Sequence, residues 1–132
     1  MPPKTSGPPR PTDAELEILT VLWSRGPSTV REVHEIISRN KPAQYTTILK
    51  LMQIMAEKGL VRRDEEQRAH VYSVSRPREW TQRQIAGDLL QRAFGGSAKS
   101  LLLGALSARR ATPEELTELR RLLEEYEKKE MP

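Results

Sequence analysis

The sequence of 132 residues contains no cysteine. That absence excludes a disulfide framework, thiolate metal sites and cysteine nucleophiles. Aromatic residues make up only 5% of the chain, with a single phenylalanine. Long hydrophobic runs are missing as well. The longest, LLLGAL at 101–106, falls far short of the roughly 20 residues that a membrane-spanning helix needs. It is also too short, and too far from the N-terminus, for a signal-peptide core. A cytoplasmic protein without membrane insertion is expected. No G-x-S-x-G, P-loop or H-E-x-x-H string occurs, and His34 and His70 lie far apart with no carboxylate at ligand spacing. No enzyme, metal site or cofactor is therefore expected.

The chain does have charge in abundance, at 30% of residues against 36% hydrophobic, a balance typical of a helix-rich soluble protein. The net charge of +4 and pI of about 9.6 permit nucleic-acid binding without requiring it. The distribution is more telling. Residues 1–77 hold twelve Lys/Arg against nine Asp/Glu, whereas residues 112–130 hold four against seven.

Residues 1–10, with four prolines, read as a flexible tail. Thr12 and Glu15 form a T-x-x-E capping box, after which Leu16, Leu19, Leu22 and Trp23 recur on one face, predicting a helix over about 12–24. RGPS at 25–28 breaks it. Ser28 is expected to cap a second helix reaching about residue 39, with Val30, Val33, Ile36 and Ile37 inward. In YTTILKLMQIMAEKGLVRR, residues 45–63, turning Ile48 inward brings Leu51, Met52 and Met55 to the same side and leaves Thr46, Lys50, Gln53 and Glu57 opposite. Gly59 ends this third helix by taking the left-handed conformation. Two β-rich runs around a charged turn follow, the second holding Val71, Tyr72 and Val74, which is a hairpin signature. Beyond Arg76-Pro77 the pattern is helical again, over about 78–94, 97–109 and from Thr112-Pro113 onward.

Three short helices and a hairpin spell a winged helix-turn-helix over residues 11–77. The fold class expected is mostly α with a small β-hairpin wing, followed by a three-helix dimerisation domain over residues 78–132. A major groove of double-stranded DNA admits one α-helix whose N-terminal side chains reach the base edges. Thr46, Thr47 and Lys50 hold that position, and Gln53 could pair with adenine. Ser28 and Thr29 at a helix start suit a phosphate. Tyr45 either packs at the helix start or bonds a phosphate. In the wing, Arg63 and Arg68 are candidate DNA contacts, with Arg68 preferred because it lies beyond the acidic Asp64-Glu65-Glu66. A helix turned to protein docking rather than DNA is the alternative, since Leu49 and Ile54 give the third helix an apolar element.

In the last helix Leu116, Leu119, Leu123 and Tyr126 recur at the spacing of a coiled-coil seam. The preceding helix, with Leu101, Leu102, Leu103 and Leu106, is apolar nearly all round and has to be covered on every side. Leu89 and Phe94 belong to the same apolar set. Three helices of this size bury too little surface alone, so a homodimer is expected. A dimer would also read two half-sites of a pseudopalindromic operator.

PTDAELEILTVLW, STVREVHEII, YTTILKLMQIMAEKGLVRR and RAHVYSV together resemble the BlaI/MecI penicillinase-repressor family, from residue 11 along nearly the whole chain. The resemblance implies a dimeric winged-helix transcriptional repressor. It also implies control by a membrane-bound sensor metalloprotease, whose signal leads to cleavage inside the dimerisation domain. In staphylococcal members the cut falls at an Asn-Phe bond; here Gly104 and Ala105 stand at the equivalent place. Ile54 stands where many relatives carry arginine, so operator preference is expected to differ. The copper-responsive branch of the family uses a cysteine cluster, which this chain lacks.

Overall fold

Thr12 starts the first helix as its spacing predicts. Its hydroxyl accepts from the Glu15 N–H while the Glu15 carboxylate accepts from the Thr12 N–H, closing the capping box of α1 (Asp13–Arg25). The computed structural model describes residues 10–130, so the tail expected at 1–10 lies, apart from Arg10, outside the described residues. After α1 come β1 (Ser28–Thr29), α2 (Val30–Ser38), α3 (Tyr45–Lys58), β2 (Val61–Asp64) and β3 (Val71–Val74). α4 (Arg78–Arg92), α5 (Ala98–Ala108) and α6 (Pro113–Glu130) complete the order. The fold is a winged helix-turn-helix followed by further helices. None of the described helices is long and apolar enough to cross a membrane.

The three strands form an antiparallel sheet in the order β1-β3-β2. Tyr72 stands at its centre, opposite Ser28 on one side and Arg63 on the other. β1 is the element that the sequence does not announce. Two residues carry no alternation, and they reach β3 because Gly26 turns the chain at φ 92° and ψ −166°, a region open essentially to glycine alone. At the other end of α3, Gly59 is left-handed as expected. Its N–H donates to Ala56 and that of Leu60 to Met55, the paired bonds of a Schellman motif.

One core joins these elements: Ile18, Leu19 and Leu22 of α1, Val30, Val33 and Ile37 of α2, Ile48, Met52 and Met55 of α3, with Val61 and Tyr72 of the sheet. Leu16, Trp23 and Leu51 only border it. The chain divides into two compact units inside α4, one up to Ile85 and one from Ala86. In the second unit the Ser97 and Thr112 hydroxyls accept N–H bonds from Ser100 and Glu115 at the starts of α5 and α6.

Glu15 is 2% exposed, and its carboxylate meets the Lys58 ammonium at 2.9 Å, linking the start of α1 to the end of α3. Burial raises its pKa, but the Thr12 N–H and Lys58 outweigh this and hold the carboxyl below its ordinary 4.5. A folded-state pKa below the unfolded one means stabilisation that is present at neutral pH and lost as pH falls through the folded value. Lys58→Met strands a buried carboxylate. Because Lys58 is about one-third exposed, the expected loss at pH 7 is about 2 kcal/mol, below the range for a fully buried pair. Urea titrations should show the gap from wild type closing below about pH 4.5, where both carboxyls become protonated.

Candidate nucleic-acid interface

α1 and α2 each close their N-terminus with a capping box, but α3 does not. It begins at Gln44 with no side-chain cap and no acidic residue in its first turn. An uncapped start leaves backbone N–H groups and the positive end of the helix dipole available to an anion. The side chains around that start are Tyr45, Thr46 and Thr47, all exposed, with exposed Lys50 one turn further on. The geometry therefore puts hydroxyls, an ammonium and open N–H groups together at one helix end. Glu57, also exposed, stands on the same outward line near the other end.

Between α3, the start of α2 and the wing lies a groove of about 560 Å³, lined by Thr29, Arg31, Tyr45, Gln53, Arg63, Arg68 and His70 with Tyr72 at its base. Five of these residues were expected from the sequence at an interface. Arg31 and His70 were not, because only the folding of α2 and β3 against α3 brings them there. Arg63 stands opposite Tyr72 in the sheet and pairs with Glu65 at 2.7 Å. These two partners raise its pKa, so its charge is constant at any physiological pH. Arg68 has no ion-pair partner among the described residues. Tyr45 sets its ring edge-on to His34, with centroids 5.7 Å apart, while His34 Nε2 bonds the Ala43 carbonyl at 2.8 Å. The aromatic pair thus fixes the entry to α3, and Tyr45 remains 45% exposed in the groove.

The start of α2 differs from expectation. Thr29, not Ser28, is the N-cap: its hydroxyl accepts from the Glu32 N–H, and its own N–H donates to the Glu32 carboxylate. Ser28 is 1% exposed, its hydroxyl accepting from Arg25 Nε at 3.1 Å and donating to the Gly26 carbonyl at 2.8 Å. The Ser28 side chain is therefore a structural element beneath the surface. The Thr29 N–H is occupied by Glu32, which Arg25 also holds as an ion pair. The bond from the Thr29 N–H, with Arg25, outweighs burial and lowers the Glu32 pKa, and this carboxylate already fills the place where a phosphate was expected.

In the second unit, none of residues 86–130 is buried. Leu89, Leu102, Leu103, Leu116, Leu123 and Tyr126 are exposed, while Phe94, Leu101, Leu106 and Leu119 are half-buried. Leu122, not singled out in the sequence, is exposed beside the seam. Phe94 packs over Gly104, where an added methyl would stand 3.4 Å from its ring. Gly104 and Ala105 are both exposed within α5. Among the described residues no cluster of His, Asp or Glu is arranged to hold a metal ion.

A winged helix with an uncapped third helix and a basic groove beside its wing defines a protein of the winged-helix regulator class. The family model described as penicillinase repressor matches residues 11–125, and the chain belongs to that family. The Mycobacterium tuberculosis protein named transcriptional regulator BlaI is 35% identical over 117 residues, covering 87% of this chain and 83% of the relative. The penicillinase repressor of Bacillus licheniformis is 27% identical over 118 residues, covering 89% and 92%. A solution structure of monomeric Bacillus licheniformis BlaI with the blaP half-operator matches 55% of this chain and 89% of its own, at 26% identity and a TM-score of 0.49.

Proposed function

We propose that this chain is a cytoplasmic, homodimeric transcriptional repressor that reads a pseudopalindromic double-stranded DNA operator. The observation that carries the reading is the uncapped, cation-flanked start of α3 beside a groove holding Arg31, Arg63, Arg68 and His70. α3 enters the major groove and presents Thr46, Thr47 and Lys50 to base edges. The basic groove follows a phosphate strand, with Gln53 and Tyr45 on its α3 side. The unburied leucines of α5 and α6 support pairing of two copies through residues of the second unit, including Leu102, Leu119 and Leu123. Membership in the penicillinase repressor family supports induction by proteolysis in this unit, near Gly104-Ala105, downstream of a membrane-bound sensor metalloprotease.

The test is a titration of mixed-sequence duplex DNA at several salt concentrations. Log affinity should fall linearly with log salt, because each neutralised phosphate releases counterions. A face used for protein docking would leave no DNA binding even at low salt, and that result would overturn the proposal. Arg68→Ala should lower affinity for all sequences alike and make the slope shallower by about one. A loss confined to one base position would instead assign Arg68 to base reading.

A further inference from the structure

On the flank of α3 turned away from the basic groove lies a shallow depression of about 340 Å³ lined by Thr46, Thr47, Lys50, Leu51 and Ile54. Its wall is mostly hydrocarbon: the half-buried side chains of Ile54 and Leu51, the threonine methyls and the Lys50 stem. Thr47, Leu51 and Ile54 fall at helical spacing and make a strip about 10 Å long, the reach of about three base steps. Of the four bases, thymine alone offers the major groove a methyl group, its 5-methyl beside the O4 acceptor, and a mostly hydrocarbon wall favours that edge. We infer that the Thr47-Leu51-Ile54 strip is a specificity element that selects thymines by their 5-methyl groups. The inference rests on the DNA-reading role of α3 proposed above. Ile54 forms the C-terminal end of the strip, with the Lys50 stem beside it.

The probe is DNA recovered by the full chain from a pool of synthetic random duplexes, in which thymine is the only source of a 5-methyl. The recovered consensus is resynthesised with thymine or with deoxyuridine, which differ by that methyl alone. Deoxyuridine should weaken wild-type binding by about fourfold for each thymine contacted, the factor that burial of one methyl group carries. Ile54→Ala, a substitution outside the core, should lower the ratio of thymine-duplex to deoxyuridine-duplex affinity. Equal wild-type affinity for both duplexes, or discrimination unchanged in Ile54→Ala and in Leu51→Ala, would overturn the inference alone. Recovery of no preferred sequence would overturn the operator-reading function and the inference with it.

Discussion

Leu119→Glu is expected to convert the protein to a monomer and to weaken operator binding by about two to four orders of magnitude while the winged helix stays folded. Leu119 lies on the seam of α6 with Leu116, Leu123 and Tyr126, and the last two are 56% and 62% exposed in the single chain. Pairing two copies would remove this surface from water, and an unpaired carboxylate placed within it costs several kcal/mol, comparable with the whole margin of a small dimer. Each monomer then keeps one half-site's contacts and loses the local concentration that its tethered twin provides. Leu102→Glu in α5 should act the same way. Sedimentation velocity beside a DNA titration separates the outcomes. A variant that remains dimeric, or a monomer that binds the full operator as wild type does, refutes the coupling of the two units.

Thr46→Ala and Lys50→Ala should each weaken specific binding by about 1–3 kcal/mol, roughly fivefold to 150-fold. Both side chains are exposed and outside the core, so the melting temperature should not move. The loss should concentrate at particular operator positions, in contrast to the uniform loss expected for Arg68→Ala. Undiminished binding by both variants would remove α3 from the reading role. A loss accompanied by a lowered melting temperature would indicate damage to the fold instead.

Local chemistry made much of the first unit legible. The Thr12 capping box, the inward faces of α2 and α3 apart from Ile36 and Leu51, which stay outside the core, the left-handed Gly59 and the hairpin all depend on residues within a few positions of one another. Thr29 as a cap was legible too, since Thr29-Val30-Arg31-Glu32 repeats the T-x-x-E spacing of α1, but the neighbouring Ser28 is an equally good cap by residue type. What was not legible depends on pairs distant in the chain. Glu15 reads as an exposed capping residue until Lys58, 43 positions away, closes over it. β1 exists only because β3 pairs with it. Arg31 looks like a solvated helix residue and His70 like a loop residue, and no periodicity predicts that they share a groove with Arg63 and Arg68. The apolar surface of α5 and α6 was visible in the sequence, and its exposure in the single chain is what a partner copy would account for.

The central claim is that two copies of α3 read two half-sites as one unit. The most direct measurement compares the affinity of the full chain for a duplex carrying both halves of its selected operator with that for an otherwise identical duplex carrying one. The account predicts at least about a hundredfold tighter binding to the intact operator, with a steeper salt dependence because more phosphates are neutralised. Equal affinity and equal salt slope for the two duplexes would contradict it.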